Sequence, residues 1–340
     1  MTVTPVSYIP ASGEWAYTFG GSSPVGTLSP GDALRVFTED CFGGLVRTAK
    51  QLPSQVCTLP YVNQVSGPFH VDGAEPGDTL VLHFMSIVPA RDWGVSATFP
   101  HFGALTSTEE TATLQPPLEE RVWVYDIDVP AGVVRYRATR SDHTVDLPLV
   151  PMHGTVGVAP AGGQAISTIA PGAHGGNLDT SQVRAGVTLY LPVFVPGALF
   201  ALGDGHACQG EGEACGVGVE CAMTTTLLVN LVIGAATAWP RIETDTHLMS
   251  IGVARPLEDA YRIAHTDMTG WISQLTGLDT LDAYQLLSQA GTAPVGNVCD
   301  PGYTMLARVD KHLLPNPGEA YDGIHARLRR LARAVASSDR

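Results

Sequence analysis

Short runs of apolar residues, broken every few positions by Gly, Pro or Asp, dominate the first two thirds of the chain. Pro30-Gly31-Asp32 leads into a strand pattern over residues 33–38, and Pro76-Gly77-Asp78 leads into another over 79–87. Residues 121–129 alternate with period two, so Trp123, Tyr125, Ile127 and Val129 share one face and Asp126 and Asp128 the other, a solvent face. Residues 133–139, 186–195 and 223–233 continue the strand signal, whereas 151–176, rich in Gly and Pro, reads as loop and short strand.

Helical spacing enters only late. Leu257, Ala260, Tyr261, Ala264, Met268, Trp271 and Ile272 recur every three or four positions after Pro256, which suits the first helical position. A second amphipathic run, 280–289, stops before Gly291. Residues 295–310 return to strand character. An Arg-rich tail, 319–336, places Ile324, Leu328, Leu331 and Val335 on one helical face for packing or an oligomer contact. The pattern predicts an α+β fold, predominantly antiparallel β, with a sandwich- or barrel-like core and C-terminal helices.

Size and composition sharpen this picture. A chain of 340 residues exceeds one ordinary core, so three parts are expected: 1–120 and 121–240, both β-rich, and 241–340, mixed with a helical tail, packed as one unit. The count of 37 glycines and 25 prolines favours short strands joined by turns over long helices. A formal charge of −14 argues against nucleic acid or an anionic membrane as partner and mildly favours neutral substrates. Apolar stretches at 187–202 and 223–239 are interrupted by polar residues, so no membrane span is expected. MTVTPVSYIPASGEW lacks a basic segment and an apolar core, so no secretory leader is expected either. Six cysteines without such a leader read as reduced thiols in the cytoplasm. Cys208, Cys215 and Cys221 are spaced too widely for a usual zinc motif and read as small buried hydrophobes.

Charged residues make up only 15% of the chain, so polar clusters stand out. Residues 203–220, GDGHACQGEGEACGVGVE, pack Asp204, His206, Gln209, Glu211, Glu213 and Glu220 among six glycines. Carboxylates and an imidazole on a bendable loop are ligand types that a divalent metal selects. His174, Asn177 and Asp179 form a similar cluster around a Gly pair. The two loops flank one strand run, and their convergence at a sheet end would give a shared metal site.

These strings resemble the acetamidase/formamidase family: PGAHGGNLD (171–179), LYLPVFVPGALFALGDGHACQGEGE (189–213), SGPFHVDGAEPGD (66–78) and GVAPAG (157–162). The resemblance covers most of the chain from about Val25 to Lys311, and the N-terminal segment around Trp15 is nearer the acetamidase branch. It implies a mostly β, oligomeric enzyme (a homodimer or larger homo-oligomer) that hydrolyses small aliphatic amides to ammonia and a carboxylic acid. Motif matching carries Asp204, His206, Glu213, Glu220, His174, Asn177 and Asp179 into the site, with Glu75 and Asp40 on shorter matches and Gln209 in support. His153 stands where an apolar residue is expected and is not carried as a ligand.

A poor electrophile attacked by a poor nucleophile needs both partners activated. A bound Zn²⁺ does this by polarising the carbonyl and acidifying water. The expected ligands are Asp204 and His206 with a third from His174 or Asp40, and Glu75 or Glu220 takes and returns the proton. Calcium is a further expected ion, second or structural. Two rivals stand beside this reading: a Cys208 nucleophile next to His206, and a metal-stabilised β-sandwich that binds a small ligand or carbohydrate without catalysis.

Overall fold

The computed structural model describes residues 4–106, 116–314 and 320–338. Its centre is an eight-stranded sheet, ordered Val6–Tyr8, Ala33–Thr38, Met223–Val232, Thr79–Pro89, Thr188–Pro192, Arg241–Glu243, His247–Ala254 and Tyr303–Asp310. Strands from the early, middle and late parts of the chain are hydrogen-bonded side by side in it. A five-stranded sheet runs Gly175–Asn177, Met152–Gly157, Phe200–His206, Val65–Val71 and Gly26–Leu28. Nearly all pairings are antiparallel; Val6–Tyr8 with Ala33–Thr38 and Gly26–Leu28 with Val65–Val71 are parallel. A four-stranded sheet, Thr144–Pro148 to Trp93–Thr98, stands beside them. The sheets stack and none of those described closes into a barrel, so the core is the sandwich form of the expected class.

Both faces of the large sheet are covered, which explains its long apolar runs. Leu80, Leu82, Phe84, Leu189, Leu191, Leu227 and Val229 face the five-stranded sheet and share one core with Phe200, Leu202 and Val156. The alternate residues Val81, Tyr190 and Leu228 meet Ile324 and Leu328 of the C-terminal helix Ile324–Ser338 on the other face. Val335 of that helix lies outside the described side chains. The helix Leu257–Thr276 covers the end strands through Ala264, Met268, Trp271 and Ile272. Pro256 caps this helix instead of occupying its first turn, and Gly277, at φ 75°, ends it. Gly291 follows Thr280–Ala290 and its N–H still makes the helical bond to Leu287 O, but its extended backbone (φ −73°, ψ 158°), not a left-handed turn, ends that helix. Among the described residues no helix is long and apolar enough to cross a membrane.

The two Pro-Gly-Asp turns are built alike. Gly31 and Gly77 take φ near 100°, and Asp32 and Asp78 accept the backbone N–H of Ser29 and Glu75 at 2.7 and 3.0 Å. Asp126 and Asp128 are exposed as expected, and Val129 is exposed too because it lies past the strand end.

Trp271 locks the helical layer to the sheet. Its ring lies edge-on to Tyr190, with the Arg241 guanidinium 4.8 Å from its centroid and Arg241 itself paired to Asp267. Trp271→Ala is expected to cost about 3–5 kcal/mol, read as a lower urea midpoint with an unchanged slope. A loss under about 1 kcal/mol would mean that the helix is not anchored there.

Candidate active site

The strand Phe200–His206 is wholly buried between Met152–Gly157 and Val65–Val71. The stretch 203–206 is therefore strand and not loop, because its glycines meet a neighbouring strand at close range. Asp204 has φ 54° inside this strand, and the register with Met152–Gly157 skips a pair there. That twist brings the Asp204 carboxylate and the His206 ring together. Asn63, Asp179 and Glu213 also have positive φ, so four of the eight such non-Gly residues among those described belong to this one region. Backbone strain concentrated in one place marks a functional site.

The side chains converge tightly. His206 Nε2 lies 3.0 Å from Glu220 Oε1 and 3.4 Å from Asp204 Oδ1. His206 Nδ1 meets Gln209 Oε1 at 2.8 Å, while Gln209 Nε2 donates to the Asp179 carbonyl at 2.6 Å. An amide oxygen only accepts, so Gln209 places a proton on Nδ1 and turns Nε2 toward the carboxylates. Gly154 lets the Asp179 and Asp204 carboxylates approach its strand, and Gly218 makes room for the His206 ring; a Cβ on either would overlap these groups. Asn63 Nδ2 donates to Asn177 Oδ1 at 2.9 Å, and Asn177 Nδ2 donates to Asp300 Oδ2 at 2.9 Å.

Asp179, Asp204, Glu213, Glu220 and Asp300 are all buried, and among the described residues none pairs with Lys or Arg. Burial pushes Asp179, Glu213 and Asp300 well above the usual carboxylate range. It also raises Glu220 to about 7 against the pull of His206. Burial alone would discharge His206, but Glu220 and Asp204 outweigh it and raise the ring well above its ordinary value. Burial likewise opposes ionisation of Asp204, yet His206 holds it below the usual range.

These donors suit a divalent cation. Ligand atoms of Asp179, Asp204 and His206 lie within 4.8 Å of one another, as do those of His206, Glu213 and Glu220 and those of Cys41, Asp204 and Glu220. Glu220 Oε2 and both Asp179 oxygens are buried with no hydrogen-bond partner, and His206 Nε2 has only its approach to the Glu220 and Asp204 carboxylates. An imidazole nitrogen facing several carboxylate oxygens, some of them unpartnered, is a donor set for zinc or a harder ion. Asp204, Glu213, Glu220, Asp300, Asn63 and Asn177 form the floor of a cavity of about 780 Å³, whose walls are mainly apolar.

Three expected residues lie elsewhere. His174 belongs to none of these clusters: its ring packs against Phe19 and folds back over Gly176, with Nε2 buried and without a hydrogen-bond partner. Asp40 is committed to Arg91 at 2.9 Å and to the N–H groups of Phe42 and Gly44. Glu75 is exposed in a turn before Thr79, while Pro89, at the far end of that strand, pairs with Met223 near Glu220; the separation along the strand is roughly 30 Å. Cys208 is pushed up to about 11 by burial, which leaves it a thiol. His153 is satisfied by Gly203 O and Thr225 Oγ1. Sequence reasoning missed Asn63, Asp300 and Cys41. The string Asn297-Val-Cys-Asp-Pro-Gly carried a turn signal for Asp300, but it was absorbed into the strand pattern of 295–310.

Stability without bound cations should therefore fall with rising pH. Glu220 holds its proton in the folded state between about pH 4.5 and 7 and loses it there when unfolded. The raised His206 contributes stability that is complete below about pH 6.5 and lost as pH climbs through its folded value, the same direction. Thermal unfolding of chelator-treated protein should show a falling midpoint across pH 5–8, and Glu220→Gln should flatten the fall. A midpoint that rises over this range would contradict the electrostatic picture.

The acetamidase/formamidase family model matches residues 22–163 and 138–290. An acetamidase from Yersinia enterocolitica of known structure is 41% identical, covers 92% of this chain and 94% of its own, and superposes with a TM-score of 0.85. A formamidase of Methylophilus methylotrophus is 26% identical over 254 residues, 61% of each chain. An acetamidase of Mycolicibacterium smegmatis is 27% identical over 265 residues, 61% of this chain and 63% of that one. The matched region spans about three fifths of the length of these two curated relatives. With the motifs of 171–179 and 203–220 gathered at one buried centre, the chain belongs to the acetamidase/formamidase family.

Proposed function

We propose that this protein hydrolyses primary amides, short aliphatic ones such as acetamide and formamide among them, to ammonia and a carboxylic acid with the help of a divalent metal. The observation that supports this most is the set of buried donors of His206, Asp179 and Glu220 gathered at the cavity floor that Asp204 and Glu220 line, in a member of this family. Asp179, Asp204 and His206 would hold the ion, with zinc favoured by the imidazole and calcium suited to an oxygen-rich second or structural position. When bound, zinc supplies a Lewis acid for the carbonyl and lowers the pKa of water toward neutrality.

The chain's own groups do the rest. Glu220, titrating near 7 and with one oxygen unpartnered, takes the proton of the attacking water and returns it to the leaving nitrogen. Gln209 fixes the His206 tautomer that faces the ion. Glu213 and Asp300, kept in their neutral form by burial, line the cavity floor beside Glu220 and add no fixed charge there. Six free cysteines support a reducing, cytoplasmic setting, and the exposed Leu59 and Tyr61 beside the cavity support a homo-oligomer.

Ammonia release from acetamide tests the activity directly. Glu220→Gln should lower the rate by about 10²–10⁴-fold while metal content stays at the wild-type level. Glu75→Gln should stay within about twofold, since Glu75 is remote. No ammonia from wild-type protein would favour a ligand-binding sandwich, and a normal rate for Glu220→Gln would remove it as the base.

A further inference from the structure

The floor of the cavity accounts for an amide group, but its walls do not fit so small an occupant. A volume of about 780 Å³ lies in the range that encloses a drug-sized ligand, far more than acetamide with its single methyl group fills. Phe42, Phe99, Phe102, Leu59, Val62 and Ile169 furnish the walls above the carboxylates. Phe42 and Phe99 lie 6.3 Å apart, and Phe99 and Phe102 meet edge-on at 6.2 Å. Leu59 is 78% exposed. Phe42 is held by a buried cluster with Val95, Ala97 and Val217, so this wall is built on a rigid sheet.

The floor sets the direction in which a substrate enters. The carboxylates of the cavity lie on its floor, beside the donors proposed to hold the ion, so the amide group has to reach the floor to react. Among the described lining residues there is no Lys or Arg and the one basic side chain is the exposed His101, so an anionic acyl tail finds no fixed counter-charge. Nitrogen toward the floor leaves the acyl group against the aromatic walls.

We propose that these walls form an acyl subsite, and that the preferred substrate is a neutral primary amide whose acyl group carries an aromatic ring. Acetamide occupies only the floor. A ring against Phe42, Phe99 and Phe102 gains apolar burial and edge-to-face contacts that a methyl group cannot make. This rests on the amide-hydrolase reading and deepens it.

The test compares kcat/KM for ammonia release from acetamide, phenylacetamide and 3-phenylpropionamide. The arylalkyl amides should exceed acetamide by at least about tenfold, since even one methylene in an apolar pocket is worth about 10–200-fold. Phe99→Ala should narrow that ratio by about tenfold, and Phe102→Ala, on the other side of the same aromatic pair, should narrow it as well. Equal rates, a preference for acetamide, or a ratio untouched by both variants would overturn the acyl subsite while leaving amide hydrolysis intact. Should no amide release ammonia, the hydrolase reading itself fails. Calorimetry with 3-phenylpropionamide then decides the subsite: binding weakened by Phe99→Ala sustains it, and no binding overturns it.

Discussion

Five carboxylates buried around a single imidazole are the constraint from which the rest of the structure follows. Like charges taken out of water repel strongly, and an uncompensated buried charge is among the most expensive features a fold can carry. Among the described residues His206 is the one cation paired with Glu220 and Asp204, while the largely buried Arg91, Arg241 and Lys311 serve Asp40, Asp267 and Glu243. The fold tolerates this because the surrounding scaffold is rigid. Two stacked sheets hold Asp204 and His206 on a central strand, and Gln209, Asn63 and Asn177 fix the groups around them.

Such an arrangement is wasteful for stability and useful for chemistry. Retained buried acids with raised proton affinity can exchange protons near neutral pH, and unpartnered oxygens await a cation. The strained residues Asp179, Asp204 and Glu213 belong to the same economy: each adopts a backbone that costs free energy and aims a carboxylate inward. Destabilisation is thereby concentrated at one centre, and the apolar contacts of Leu82, Leu189 and Phe200 elsewhere offset it.

Much of this was legible in the sequence because it depends on local pattern. The strands after both Pro-Gly-Asp turns, the alternation of 121–128 and the spacing of the helix from Leu257 all survive in the structure. The motifs also named Asp204, His206, Gln209, Glu213 and Glu220. What failed was anything decided by pairing between distant segments. The glycines at 203 and 205 looked like loop residues because sequence does not show the strands that press against them. His174 and Glu75 stand in strings that resemble the family's, yet the His174 ring packs against Phe19 outside the donor clusters, and the length of the strand after Glu75 separates that residue from Glu220. Cys41 and Asp300 arrived from opposite ends of the chain with no periodic signal of their own.

The account turns on the buried donors holding a cation that the reaction requires, and one reconstitution measures that. Protein stripped by a chelator at neutral pH and assayed for ammonia release from acetamide should be inactive. One equivalent of zinc should restore the activity of the wild type but not of His206→Ala. Undiminished ammonia release from the stripped protein, with metal analysis showing none bound, would contradict the account.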